Sequence, residues 1–237
     1  DLRMERNMLT SVPDFHCIAS TLTHLVMTRN LLTVIPDSSI EYLSFLERLF
    51  IGYNQLTALP DITRLGNLFS YAISGNPFTG NYDDYFATLG QLTHLEMSEM
   101  TFNVLPDLSA LENIVYIRMG NNLNLDFPPA SLDPLSNLGT LDIVLANLTA
   151  FPDFSDLTRS RLGVIMLRSN AIEYVDPDVL LGYSNLVNIV LSGNKLSSLP
   201  DLSNVGATLT KVSFQDNNFN GVLAADDMNQ FMSALPK

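Results

Sequence analysis

Residues 22–35 read LTHLVMTRNLLTVI, and residues 46–59 read LERLFIGYNQLTAL. In the first, Leu22, Leu25, Met27, Asn30, Leu32 and Ile35 stand at offsets 0, 3, 5, 8, 10 and 13. Leu46, Leu49, Ile51, Asn54, Leu56 and Leu59 repeat that spacing in the second. Further copies open at Leu68, Leu92, Ile114, Leu138, Leu162, Leu186 and Leu209. A truncated one begins the chain with Leu2, Met4, Asn7, Leu9 and Val12, for ten in all. Self-similarity at so short a period outranks any estimate of domain number from length.

Apolar residues at offsets 3 and 5 alternate as a short strand does, and such a strand buries one face only against neighbours in a stack. The asparagine at offset 8 stands where the chain turns away from the strand. Its amide can donate to and accept from the backbone of adjacent turns, which a buried, bending main chain requires. The pattern resembles the leucine-rich repeat family, L-x-x-L-x-L-x-x-N-x-L, over essentially the whole chain. The resemblance implies a right-handed, curved α/β solenoid with parallel strands on the concave face and short helical, 3₁₀ or irregular segments on the convex one.

The return segments alternate strictly between two classes. One carries Pro-Asp at offsets 14 and 15 and apolar residues at 16 and 19, as in Ile62/Leu65, Leu108/Leu111 and Phe154/Leu157. The other is 24 residues long and moves the apolar pair to 18 and 21, as in Ile40/Leu43, Phe86/Leu89 and Leu180/Tyr183. The unit is a doublet of about 46 residues. Each of Asp61, Asp107, Asp153 and Asp201 follows a proline and is expected to cap the next turn. Such doublets resemble the alternating classes of some extracellular leucine-rich repeat proteins, which usually carry cysteine-clustered caps. Here the first copy lacks its opening and the last runs out through Met228, Phe231 and Leu235. Residues 1–237 are therefore expected to be one repeat domain from a longer protein, with its caps missing.

With 46% hydrophobic and 16% charged residues the composition is globular, and no apolar run is long enough to span a bilayer. A net charge of -13 disfavours nucleic acid and anionic lipid as partners. That charge is unevenly placed. Offsets 2, 4, 6 and 7, the expected solvent side of the concave wall, hold seven of the 12 basic residues against six of the 25 acidic ones. The wall is thus +1 and the remainder -14. Arginines and aromatics on a near-neutral wall are the composition of a protein-binding surface. The candidate partner-binding residues are Arg29, Arg48, Phe50, Tyr53, His94, Glu96, Tyr116, Arg118, Asp142, Met166 and Arg168. In the central column Glu96, Arg118 and Asp142 fall on successive strands, about 4.8 Å apart, close enough to pair with one another. Met100 and Ala146 replace the offset-8 asparagine, and Asn124 an apolar residue; a functional bend and tolerated drift both remain open.

Other signals have plainer readings. Asp216, Asn218, Asn220 and Asp227 mimic a calcium loop, but Asn217 and Phe219 already serve the repeat, so no metal is expected. His24 and His94 lie three copies apart, about 15 Å, too far to share an ion. Cys17, between Phe15 and Ile18, reads as a small buried hydrophobe. Asn147-Leu148-Thr149 is a glycosylation sequon. No nucleophile elbow, zinc-protease motif, phosphate loop or dinucleotide fingerprint is present, so neither an enzyme nor a cofactor is expected.

The resulting expectation is a module that recognises a protein or peptide through its concave face, within a secreted or cell-surface receptor or adhesion protein. The alternatives are a self-associating, matrix-type solenoid and a cytosolic scaffold.

Overall fold

The computed structural model describes residues 1–79, 82–100, 104–123, 132–152 and 161–219. Among these, ten short strands pair in parallel, in chain order, in one sheet: β1 (Leu2–Arg3), β2 (His24–Val26), β3 (Arg48–Phe50), β4 (Ser70–Ala72), β5 (His94–Glu96), β6 (Tyr116–Arg118), β7 (Thr140–Asp142), β8 (Val164–Met166), β9 (Asn188–Val190) and β10 (Lys211–Ser213). The register joins equal offsets, so that Leu49 faces Leu25 on one side and Tyr71 on the other. The offset-3 column from Leu25 to Ile189 is completely buried. The apolar residues at offsets 0 and 5 complete one continuous core with it.

The doublet is structural. Ile40, Leu43, Phe86, Leu89, Leu132, Leu135, Leu180 and Tyr183 of the longer class are buried, as are Ile62, Leu65, Leu108, Leu111, Leu202 and Val205 of the shorter. The longer return segments wind into single turns at Asp37–Ser39, Asp83–Phe86 and Pro177–Leu180. In the shorter class Asp61, Asp107 and Asp201 accept the backbone N–H two residues on, at 2.8, 2.8 and 2.9 Å, as capping aspartates should. Asp37 and Asp83 take the N–H of Asp61 and Asp107 at 2.9 Å, tying each long segment to the short one that follows. Asp153, Phe154, Leu157 and Asn124 lie outside the described residues.

The offset-8 asparagines form a ladder between adjacent turns. Asn54 donates to the carbonyls of Met27 (3.0 Å) and Ile51 (2.9 Å) and accepts from the N–H of Leu32 (3.1 Å). Asn30, Asn76, Asn122, Asn170 and Asn194 bridge adjacent turns in the same way. Where Met100 and Ala146 interrupt it, the next asparagine along compensates: Asn122 takes the Met100 N–H at 2.7 Å and Asn170 that of Ala146 at 2.9 Å.

Two columns depart from the simple pattern. Offset 6, expected from the sequence to be free wall, is packing in half of the copies: Gly52, Ser74, Ser98, Gly120 and Ser192 are buried there, whereas Arg168 and Gln215 are exposed. A Cβ on Gly120 would meet the Val144 carbonyl oxygen at 2.8 Å, because consecutive turns touch backbone to backbone. At offset 7 every copy turns with positive φ, from 54° at Glu99 to 69° at Gly193. Eight of these residues are not glycine, a conformation that costs about 1–2 kcal/mol each. The ladder holds them there; the Arg29 N–H, for example, donates to Gly52 O at 2.9 Å. The turn tips the offset-7 side chains onto the rim of the wall.

Cys17 corrects a second expectation. Phe15 is buried, but on the tight turn His16–Ile18 the intervening thiol faces solvent.

Candidate ligand-binding wall

Strand side chains at offset 2 line one margin of the concave face. Arg48 is exposed, with its guanidinium 5.4 Å from the ring centroid of Phe69. Phe69 meets His94 edge-on at 6.4 Å, and His94 stacks on Tyr116 at 5.8 Å. Four residues from β3 to β6 and the approach to β4 thus make one arginine–aromatic run. Phe69 is absent from the sequence-derived candidates because it stands at offset 1. The available signal is a phenylalanine where other copies carry Thr, Val, Gly or Glu. Burial, with the nearby carboxylates of Asp142 and Glu96, pushes the Tyr116 phenol above its ordinary range.

On the opposite margin Arg29 lies over the face of Tyr53, 4.5 Å from its centroid. The Tyr53 hydroxyl donates to Oε1 of Glu99 at 2.9 Å. Partial burial and this carboxylate raise the phenol's pKa. Between the margins, Phe50 is half-buried beside Ala72, with Glu96 and Arg118 on β5 and β6.

Asp142 departs from its expected role. Its offset predicts a wall residue available to a partner, yet it is only 6% exposed. Its Oδ2 lies 3.3 Å from Nε of Arg118, and its Oδ1 is buried without a hydrogen-bond partner. Desolvation raises its pKa even though Arg118 and Arg168 oppose the shift. Arg118 covers this buried carboxylate, so it too has a structural duty. Met166 pairs in register with Asp142, and Arg168 is exposed just beyond it.

A concavity of about 210 Å³ opens on the rim between Tyr53 and Arg118. Its lining includes Glu96, Ser98, Glu99 and the apolar Val144 and Leu145. Of the remaining candidates, Asn147 is exposed with φ 57°. Asp216 and Asn218 are exposed, while Asn217 serves the ladder through Leu191 O and Phe214 O, both at 2.9 Å. Asn220 and Asp227 lie outside the described residues. Among the described residues no helix is long and apolar enough to cross a membrane.

The leucine rich repeat family profile matches residues 20–78. Over 194 residues the chain is 28% identical to the receptor-like kinase TMK2 of Arabidopsis thaliana; the match spans 76% of this chain and 21% of the kinase, about a fifth of its length. An LRR protein of Leptospira interrogans superposes with a TM-score of 0.66 at 23% identity, over 97% of this chain and 63% of that one. The plant peptide hormone receptor RGFR1, solved in complex with RGF2, superposes with a TM-score of 0.63 at 24% identity, over 92% of this chain and 35% of the receptor. With its tenfold repeat, ordered parallel sheet and asparagine ladder, the chain has the leucine-rich repeat fold.

Proposed function

We propose that the chain is a recognition module that binds a protein or peptide across its concave wall, as part of a receptor-type protein at the cell surface or outside the cell. The observation that carries this reading is the Arg48–Phe69–His94–Tyr116 run. It presents rigid aromatic area and a fixed cation to solvent, the residue types that dominate binding energy at protein interfaces. The near-neutral wall within an acidic chain favours the same face. The likeness to a receptor-like kinase and to a receptor solved with a peptide hormone supports the receptor-type reading. The exposed sequon at Asn147 is compatible with an extracellular setting.

The test is capture from a cell-surface extract with wild type and with Arg48→Glu/His94→Ala in parallel. Both substituted side chains are exposed, so the fold is expected to survive. A protein retained by wild type and lost by the variant places the interface on this wall. Equal retention by both removes it from the wall, and enrichment of the chain itself favours the self-associating alternative.

A further inference from the structure

The concavity between Tyr53 and Arg118 has a chemistry of its own. Its space of about 210 Å³ equals roughly seven waters at about 30 Å³ each, the scale of one long side chain rather than of a folded surface. Val144, Leu145 and the Tyr53 ring give it apolar sides. Glu96 and Glu99 give it two carboxylates, neither of which has an ion-pair partner within 4.0 Å among the described residues. The cation that also lines it, Arg118, is already committed to the buried carboxylate of Asp142.

Ser98 supplies an independent sign. It lines the same concavity, is only 7% exposed, and its Oγ has no hydrogen-bond partner. The other serines of its column are satisfied: Ser74 Oγ accepts from the Ser98 N–H at 3.0 Å, and Ser192 Oγ donates to Gln215 at 2.6 Å. The following copy has Gly120 at this offset, so no side chain stands there to pair with Ser98. A buried hydroxyl left unpaired is a cost that a ligand group relieves.

We infer that this concavity is a socket for one basic side chain, lysine or arginine, of the bound protein or peptide. The inference rests on the proposed recognition role and deepens it. Apolar sides take the methylene stem, as long cationic side chains prefer. Glu96 and Glu99 take the charge, and Tyr53 holds Glu99 in place from behind. Ser98 Oγ accepts one N–H. An acidic side chain entering the same space meets two uncompensated carboxylates, which sets specificity by repulsion as well as attraction.

The test is an NMR titration of the whole chain with three probes: the Nα-acetyl methylamides of arginine, glutamate and norleucine. The arginine probe is expected to shift the backbone amides of Ser98, Glu99 and Asn121, with at least a fivefold weaker affinity in Glu96→Gln/Glu99→Gln. The Glu99→Gln substitution preserves an acceptor for the Tyr53 hydroxyl. Equal shifts from norleucine, stronger ones from glutamate, no shift from arginine, or an undiminished affinity in the double glutamine variant would each overturn the socket. The probe titration needs no natural partner, so it is separable from the capture experiment. Loss of the proposed wall interface with a normal arginine titration would condemn the wider reading and leave the socket standing.

Discussion

The phenol of Tyr53 reaches Oε1 of Glu99 at 2.9 Å from two strands away, and it does so by lying across Gly75. A Cβ on Gly75 would sit 2.6 Å from Cδ1 of the Tyr53 ring, so the strap and the missing side chain are one device.

Gly75→Ala is therefore expected to lose more stability than Gly193→Ala. Both positions have positive φ, 65° and 69°, and share a cost of about 1–2 kcal/mol. Only the first also evicts a ring; at Gly193 the nearest atom is Ser169 Oγ at 3.1 Å. Denaturant melts of both variants, repeated in a Tyr53→Ala background, check this: the excess at Gly75 should vanish when the ring is gone. Equal losses in the wild-type background would show that the ring moves aside freely.

Asn54→Ala should destabilise the fold by about 1–3 kcal/mol, because it leaves the Leu32 N–H without its acceptor inside the stack and takes one of two asparagine donors from each of the Met27 and Ile51 carbonyls, which keep Asn30 and Asn76. Equilibrium unfolding in urea is the measurement. Asn67, which makes a single exposed bond to Ser44 O, is the control, and its alanine variant should change little.

Leu141→Ala, at a wholly buried offset-3 position, should cost about 2–5 kcal/mol. A melt superimposable on wild type would contradict the strand register, in which Leu141 pairs with Ile117 and Ile165 inside the core.

Asp142 should respond to pH in the opposite sense to the capping aspartates. Its folded pKa is raised, so between the ordinary 3.8 and that higher value the folded state holds more protons than the unfolded. Its contribution to stability then falls as pH rises through that window. Asp61, whose pKa is lowered by the Thr63 hydroxyl and then the Thr63 N–H, and Asp107, lowered chiefly by the Ser109 N–H, contribute stability that is lost as pH falls below 3.8. Asp142→Asn is expected to melt higher than wild type at pH 7, with the advantage disappearing in acid below 3.8. Paired thermal melts across pH cancel the capping groups, which both proteins share. A lower melting temperature for the variant at pH 7 would mean that Arg118 more than repays the burial of the carboxylate.

The spacing of Leu25 and Met27, repeated in ten copies with an asparagine like Asn30 in eight of them, was enough to mark the strands, the core columns and the ladder, and the family resemblance supplied the parallel order. Each depends on local alternation and on contacts between equal positions of adjacent copies, which a repeat encodes directly. The doublet was legible for the same reason, in Ile62/Leu65 against Ile40/Leu43. What escaped the sequence depends on how far neighbouring turns approach and on which way individual side chains lean. Gly52 and Gly120 at offset 6 became packing because consecutive turns touch there, backbone to backbone. Asp142 went under because Arg118 folds over it, and Cys17 came out because its turn rotates it away from Phe15 and Ile18. Phe69 joined the wall from offset 1 because Arg48 and His94 lie on either side of it. The Tyr53–Glu99 strap and the socket with the unpaired Ser98 hydroxyl join side chains of nonadjacent copies. A repeat specifies its nearest neighbours; these contacts reach past them, and only the tertiary stack brings them together.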